Sequence, residues 1–301
     1  MHRNSSPLGF LPTRLLLAAS SALWAACGTA PTAPAPVALP TTELTELAVN
    51  VVTADLSRPD PDAAFWRDVA PGLVSLIAQP VTAPRPEITT TSSIYVQAVH
   101  DASTVAFRLQ WADTELSEAG HLGEFSDAVA MEFPMVGDKL PSVMMGAKDD
   151  PVHIFHWRAQ YQRDAERGKP EIKDLYPNAS VDMYPMDFKD APSGGKDDKE
   201  AFNPGIAIGN PQSYSKTGVD EIIAEGFSTS SVEEGHGAAG RGVWKDGMWS
   251  VVITRPMVID GGSTLAVGRP NSLSFAVWQG GKDEVASRKC IHMAWLPLKV
   301  L

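Results

Sequence analysis

The chain has 301 residues, 44% of them hydrophobic and 20% charged, an ordinary globular composition that can bury a core in one large or two small domains. Its formal net charge of −11 at pH 7 and isoelectric point near 5.1 argue against nucleic acid or an anionic membrane surface as the main partner, since both call for a basic face. A cationic protein partner is compatible with that charge.

The first residues read as a processing segment. Arg3 and Arg14 precede the apolar run Leu15–Ala26, and small residues lead to Cys27. The run is about half the ~20 apolar residues that span a bilayer, so no mature transmembrane helix is expected from it. Ala25-Ala26-Cys27 resembles a bacterial lipoprotein cleavage box, with Trp24 where that pattern normally has an aliphatic residue. The expected organisation is a signal peptide over residues 1–27 with lipid on Cys27, an Ala/Pro/Thr-rich extended spacer over 28–45, and one domain over 46–301. That places the domain in the periplasm or cell envelope, tethered to a membrane by lipid. With Cys27 lipidated, Cys290 is the only other cysteine and no internal disulfide can form. The sequence contains no Cys-x-x-Cys and no Cys-x-x-Cys-His, so iron–sulfur ligation, a thiolate zinc site and covalently attached c-type haem have no support.

Two helical signals interrupt the chain, "PDAAFWRDV" near Asp62 and "GVDEIIAEG" from Gly218 to Gly226. From Ser93 onward period two dominates: "SIYVQAVHD", "TVAFRLQWAD", "DAVAMEF", "VHIFHW", "MWSVVITRPM", "SLSFAVWQG" and "KCIHMAWLPL" are short apolar runs punctuated by Gly, Asp and Pro. In "TVAFRLQW", Val105, Phe107, Leu109 and Trp111 share one face, the pattern of an antiparallel strand with one buried side. The expected fold is all-β, an antiparallel β-sandwich with long loops and a few short helices. The connection Ala159–Pro204 is long enough to be functional or mobile. No internal repeat is present.

The chemistry-bearing residues narrow the choice. No Gly-x-Ser-x-Gly turn occurs, the seven histidines are scattered, and "GGKDDKE" lacks the Gly-Lys-Ser/Thr ending of a phosphate loop. His153 and His156 fall on opposite faces of a strand, one expected buried and one exposed, so a shared zinc site would need a bend. "LPSVMMGAKDDPVHIFHW", Leu140–Trp157, sets Met144 and Met145 before a glycine; each is either core filler or a thioether offered to a soft metal.

Several segments in order, "DAAFWRDVAPGLVSLIAQ", "YVQAVHDASTVAFRLQWAD", "FSDAVAMEFP", "MMG" with "VHIFHW", "VDEIIAEGFST", "GVWKDGMWSVVITRPM", "SFAVWQGGKDE" and "SRKCIHMAWLPL", resemble the haem-b-binding γ subunits of the ethylbenzene dehydrogenase and dimethyl sulfide dehydrogenase group. The resemblance runs from about Asp60 to the C-terminus. It implies a β-sandwich that holds one haem b non-covalently between a methionine and a lysine. It further implies electron relay for a molybdenum enzyme of the dimethyl sulfoxide reductase family, with iron–sulfur subunits and a soluble cytochrome as partners. Carried onto this chain, the ligands are Met145, with Met144 as competitor, and Lys289, with His292 as competitor. In a regular strand Lys289 and His292 face opposite ways, so only one would reach the cofactor. Cys290 and His292 stand where the family has small polar residues. No catalytic residues are implied and no turnover by the chain alone. The other reading is a cofactor-free sandwich that binds a ligand or a protein partner at the envelope through Trp244 and Trp249.

Overall fold

The computed structural model describes residues 39–135, 140–170, 172–179, 208, 218–233, 235 and 237–301, all within the unit Ala38–Leu301. The expected signal peptide, Cys27 and most of the expected spacer lie outside the described residues, as does the connection beyond residue 179. In chain order the strands are β1 (Leu47–Val51), β2 (Gly72–Ser75), β3 (Ile77–Ala78), β4 (Ser93–His100), β5 (Thr104–Ala112), β6 (Ala128–Pro134), β7 (Val152–Arg158), β8 (Val219–Ala224), β9 (Ser231–Glu233), β10 (Ala239–Lys245), β11 (Met248–Pro256), β12 (Asn271–Trp278), β13 (Cys290–Ile291) and β14 (Leu296–Val300). Two short helices, α1 (Ala159–Arg167) and α2 (Ile172–Leu175), follow β7.

The strands form one sheet in the order β10-β11-β5-β4-β1-β14-β12-β6-β7-β8-β9, with β2, β3 and β13 attached beside that path. All pairings are antiparallel except those of β1, which runs parallel to both β4 and β14. β12 belongs to both halves of the sheet: Asn271–Leu273 pair with β14, and Ser274–Trp278 pair with β6. The sheet thus folds over on itself at β12, and the two halves stack as the layers of a sandwich.

Period-two patterning fills the space between the layers. Val105, Phe107, Leu109 and Trp111 of β5 retain no accessible surface and meet Met131 and Phe133 of β6 and Phe155 and Trp157 of β7 in the main core. Phe107 and Phe133 rings lie 5.7 Å apart, and Trp157 meets Trp249 edge-on at 5.0 Å, favourable aromatic geometries. On the other face of β5, Ala106 sits under the short 3-10 helix Ala64–Asp68, to which the first helical signal shortens.

The second helical signal is overturned: Val219–Ala224 is β8, paired with β7 and β9. Glu, Ile and Ala suit a helix locally, but pairing on both edges decides the outcome. Trp244 and Trp249 do not form a contact face either. Trp249 is buried and donates its indole N–H to Asp127 at 3.0 Å, and Trp244 is half-buried and donates to the Asp113 carbonyl at 2.9 Å. They flank the hairpin Lys245–Met248, whose turn residues Asp246 and Gly247 are both left-handed, at φ 53° and 75°, as a tight β-hairpin requires.

Asp113 and Asp127 make a buried acid pair beneath this hairpin. Burial, then the neighbouring Asp127 charge, pushes Asp113 up to about 7. The raised folded value means that this group favours the fold fully below its ordinary pKa of about 3.9 and loses that contribution as pH climbs through about 7. The melting temperature is expected to fall by a few degrees between pH 5 and pH 8 from this source, and Asp113→Asn should flatten the fall. Thermal unfolding at several pH values checks it; a variant with an undiminished slope would refute the assignment.

Candidate functional site

The outer face of the layer built from β12, β6, β7 and β8 carries small residues at its centre. Antiparallel register aligns Trp278, Ala128 and Arg158 in one row, Ala276, Ala130 and His156 in the next, and Ser274, Glu132 and Ile154 in a third. Alternate residues such as Met131, Phe155 and Val277 point into the main core. Strands lie about 4.8 Å apart, so Ala130 beside Ala276 and Ser274 leaves a depression where leucines would close the surface. The loop Val143–Met145 and the segment Ala286–His292 rise beside it, and together they bound a cavity of about 690 Å³. That volume lies within the about 300–1,000 Å³ of small-molecule and cofactor sites.

The methionine wall explains the Met-Met-Gly step. Met145 and Gly146 are both left-handed, at φ 65° and 78°. A Cβ on Gly146 would stand 2.8 Å from the carbonyl oxygens of Ala224 and Asp150, so only glycine lets the loop approach the end of β8. Gly226 N–H donates to the Met145 carbonyl at 2.7 Å and Gly146 N–H to the Ser142 carbonyl at 2.9 Å. The loop is clamped while both thioethers, half-buried, pack on the floor with Ala130, Ile154 and Ile222.

On the opposite side of the chain order, Lys289 and His292 both line the cavity, which corrects the expectation that they face opposite ways. β13 is only two residues long. Cys290 does turn to the core and retains no accessible surface, but the chain leaves the strand after Ile291 and His292 N–H donates to the Phe275 carbonyl at 2.9 Å. Period two therefore does not extend to His292. The Lys289 ammonium nitrogen stands 4.9 Å from the Trp278 ring centroid, and His156 stacks on the same indole at 4.6 Å. His153 and His156 do lie on different faces. His153 is buried in the core, its Nδ1 accepting from Ser263 N–H at 3.2 Å, whereas His156 is half-buried and lines the cavity.

The electrostatics of the walls favour neutral donors. Burial lowers the Lys289 amine, with the Glu132 carboxyl opposing it. Burial, then the charges of Arg158 and Lys289, holds His156 well below the usual imidazole range, and burial also lowers His292. Glu132 is pushed up to about 8 by burial, against the pull of Lys289 and of the Met145 backbone N–H. A metal takes only the unprotonated forms of lysine and histidine, and burial moves Lys289 and His292 toward those forms beside the two half-buried thioethers. Among the described residues no group of three or more His, Cys, Asp and Glu is placed to hold a metal ion. Glu132, Arg158, Trp278 and the floor alanines were not anticipated from the sequence. The one local signal was Glu132 itself, a lone carboxylate inside the apolar run "AVAMEF".

The family profile described as ethylbenzene dehydrogenase matches residues 63–290. A protein named "Putative respiratory nitrate reductase heme subunit ORF7" from Haloferax mediterranei is 22% identical over 249 residues, covering 82% of this chain and 70% of its own length. Chlorate reductase subunit gamma from Ideonella dechloratans is 24% identical over 282 residues, covering 92% of this chain and 93% of its own. Among solved structures, a family 9 carbohydrate binding module from Caldicellulosiruptor kristjanssonii in complex with glucose overlaps at TM-score 0.42 and 8% identity, covering 85% of this chain and 95% of its own, too slight a likeness to carry a functional reading.

Proposed function

Because the chain belongs to the ethylbenzene dehydrogenase family, we propose that it is the electron-transfer subunit of a molybdenum oxidoreductase and holds one haem b non-covalently, with Met145 and Lys289 as axial ligands. The names of its relatives, a nitrate reductase heme subunit and a chlorate reductase gamma subunit, support that role. The observation that carries it is convergence: Met144 and Met145 come from a loop before β7, Lys289 and His292 from a segment after β12, and all four line one cavity over an alanine and serine floor. Bound there, haem would supply one-electron exchange between ferric and ferrous iron. Met145 provides a soft thioether that favours the ferrous state and raises the potential. Burial holds Lys289 toward the free amine, the only form that can ligate. Ile154, Ile222 and the alanines form an apolar bed on which a porphyrin would lie, and would limit the access of water to its iron. With Met145 and Lys289 both holding the iron, no coordination site would be open to a substrate, so the chain is expected to act as a relay between a catalytic partner, its iron–sulfur subunit and a soluble cytochrome.

Protein made with haem available should be coloured, and acidified acetone should extract the pigment because no Cys-x-x-Cys-His exists to bond it covalently. A colourless preparation that takes up no added haemin would refute the reading. We further propose that the mature chain begins at a lipidated Cys27 and stays on the envelope membrane, which stably takes more than one acyl chain. The mass of the mature N-terminus tests this; cleavage at another residue without lipid mass would overturn it.

A further inference from the structure

We propose that Arg158 and His156 form the anion-binding end of the cavity and hold a carboxylate of the porphyrin rim, an inference that rests on the haem reading above. Both residues line the cavity from β7. They stand in adjacent rows of the floor, Arg158 opposite Ala128 and His156 opposite Ala130, so neither is covered by a bulky cross-strand neighbour on the β6 side. The guanidinium is only partly used. Its Nη1 donates to the Tyr161 hydroxyl at 2.8 Å, its carbon lies 4.7 Å from the Tyr161 ring centroid, and Nη2 stands 3.8 Å from Asp220. These contacts fix the group in place, while Nε is buried with no hydrogen-bond partner.

The imidazole repeats the pattern. Nη2 of Arg158 lies 3.4 Å from His156 Nδ1. Arginine has only donors to give, so Nδ1 is the acceptor and the ring proton sits on Nε2. That Nε2 is also buried without a partner, and the ring is held in plane by Trp278. Two N–H donors with no acceptor, on neighbouring side chains of one cavity, are a costly arrangement for a protein that never fills it. An anionic acceptor satisfies both. Asp220 at 3.8 Å offsets part of the Arg158 charge, and Glu132 stands in the neighbouring row. A ligand carboxylate therefore gains most at Nε and Nε2, where it receives hydrogen bonds as well as charge. Haem b carries two such carboxylates on an otherwise apolar disc.

Binding of haemin and of its dimethyl ester to the full-length, haem-free chain tests the assignment, because the ester keeps the iron and the disc but removes both charges. Wild type should prefer haemin by about tenfold or more, the scale of a charge-assisted hydrogen bond. Arg158→Gln should lose most of that preference by weakening haemin while leaving the ester unchanged. Arg158→Lys, which retains the charge at lower risk to folding, should fall between them. His156→Phe, which keeps the stacking on Trp278, should lose a smaller share. Equal affinity of wild type for both ligands, or a full preference in Arg158→Gln and Arg158→Lys, overturns the inference and leaves the haem site standing. Failure of wild type to bind either ligand overturns both.

Discussion

Lys289→Ala should convert the low-spin haem spectrum of the wild type to a high-spin or histidine-type spectrum without emptying the site. The lysine leaves a coordination position, and His292 lines the same cavity with its Nδ1 buried and without a hydrogen-bond partner. It can therefore reach the iron by side-chain movement with no change of strand face. Met145→Ala should lower the midpoint potential, on the order of 0.1 V, within the about 0.8 V that axial ligands command, because the thioether's preference for ferrous iron is removed. Met144→Ala is the control for a one-residue slip in the loop. Lysine ligation should also make the wild-type spectrum acid-sensitive, since protons compete with the metal for the amine. Optical and magnetic spectra across pH, with a redox titration, read all four variants. If Lys289→Ala keeps the low-spin spectrum and its pH dependence while His292→Ala abolishes both, histidine is the ligand.

The sequence made the strands legible where one face is buried and the other is not. β5 is the clear case, because Arg108 and Gln110 alternate with residues that have no accessible surface. β8 was read as a helix for the converse reason. Val219, Asp220, Glu221, Ile222 and Ala224 are all buried, so no alternation marks the strand, and its acidic residues are accounted for only by tertiary partners. The Met-Met-Gly step and Lys289 were recognisable through family resemblance, but their meeting in one cavity was not. That meeting depends on register between β12, β6 and β7, and a single sequence does not state register. His292 was placed on the wrong face because period two was carried past a strand only two residues long. The floor went unread because an alanine in a strand carries no chemical signal; Ala130 and Ala276 matter only because they are neighbours.

That neighbourhood leads to the second large effect, in which Ala130→Phe should abolish or weaken haem uptake at least tenfold while leaving the fold intact. Ala130 is 4% exposed, lines the cavity, and is flanked in register by Ala276 and His156. Its Cβ points away from the main core, so an added phenyl ring enters the cavity and presses on the half-buried Met144 and Met145 side chains and not on the main core. The melting temperature should then shift by no more than about 4 °C, the equivalent of about 1 kcal/mol for a domain of this size. Ala98→Phe is the contrast. Ala98 has no accessible surface and belongs to the main core between the layers, where extra volume forces its neighbours apart at a cost of about 1–3 kcal/mol. Haemin titration and thermal unfolding of both variants separate a blocked site from a damaged fold. Undiminished haemin affinity in Ala130→Phe would place the cofactor elsewhere, and a melting temperature lowered as far as that of Ala98→Phe would show that the alanine floor serves packing and not ligand binding.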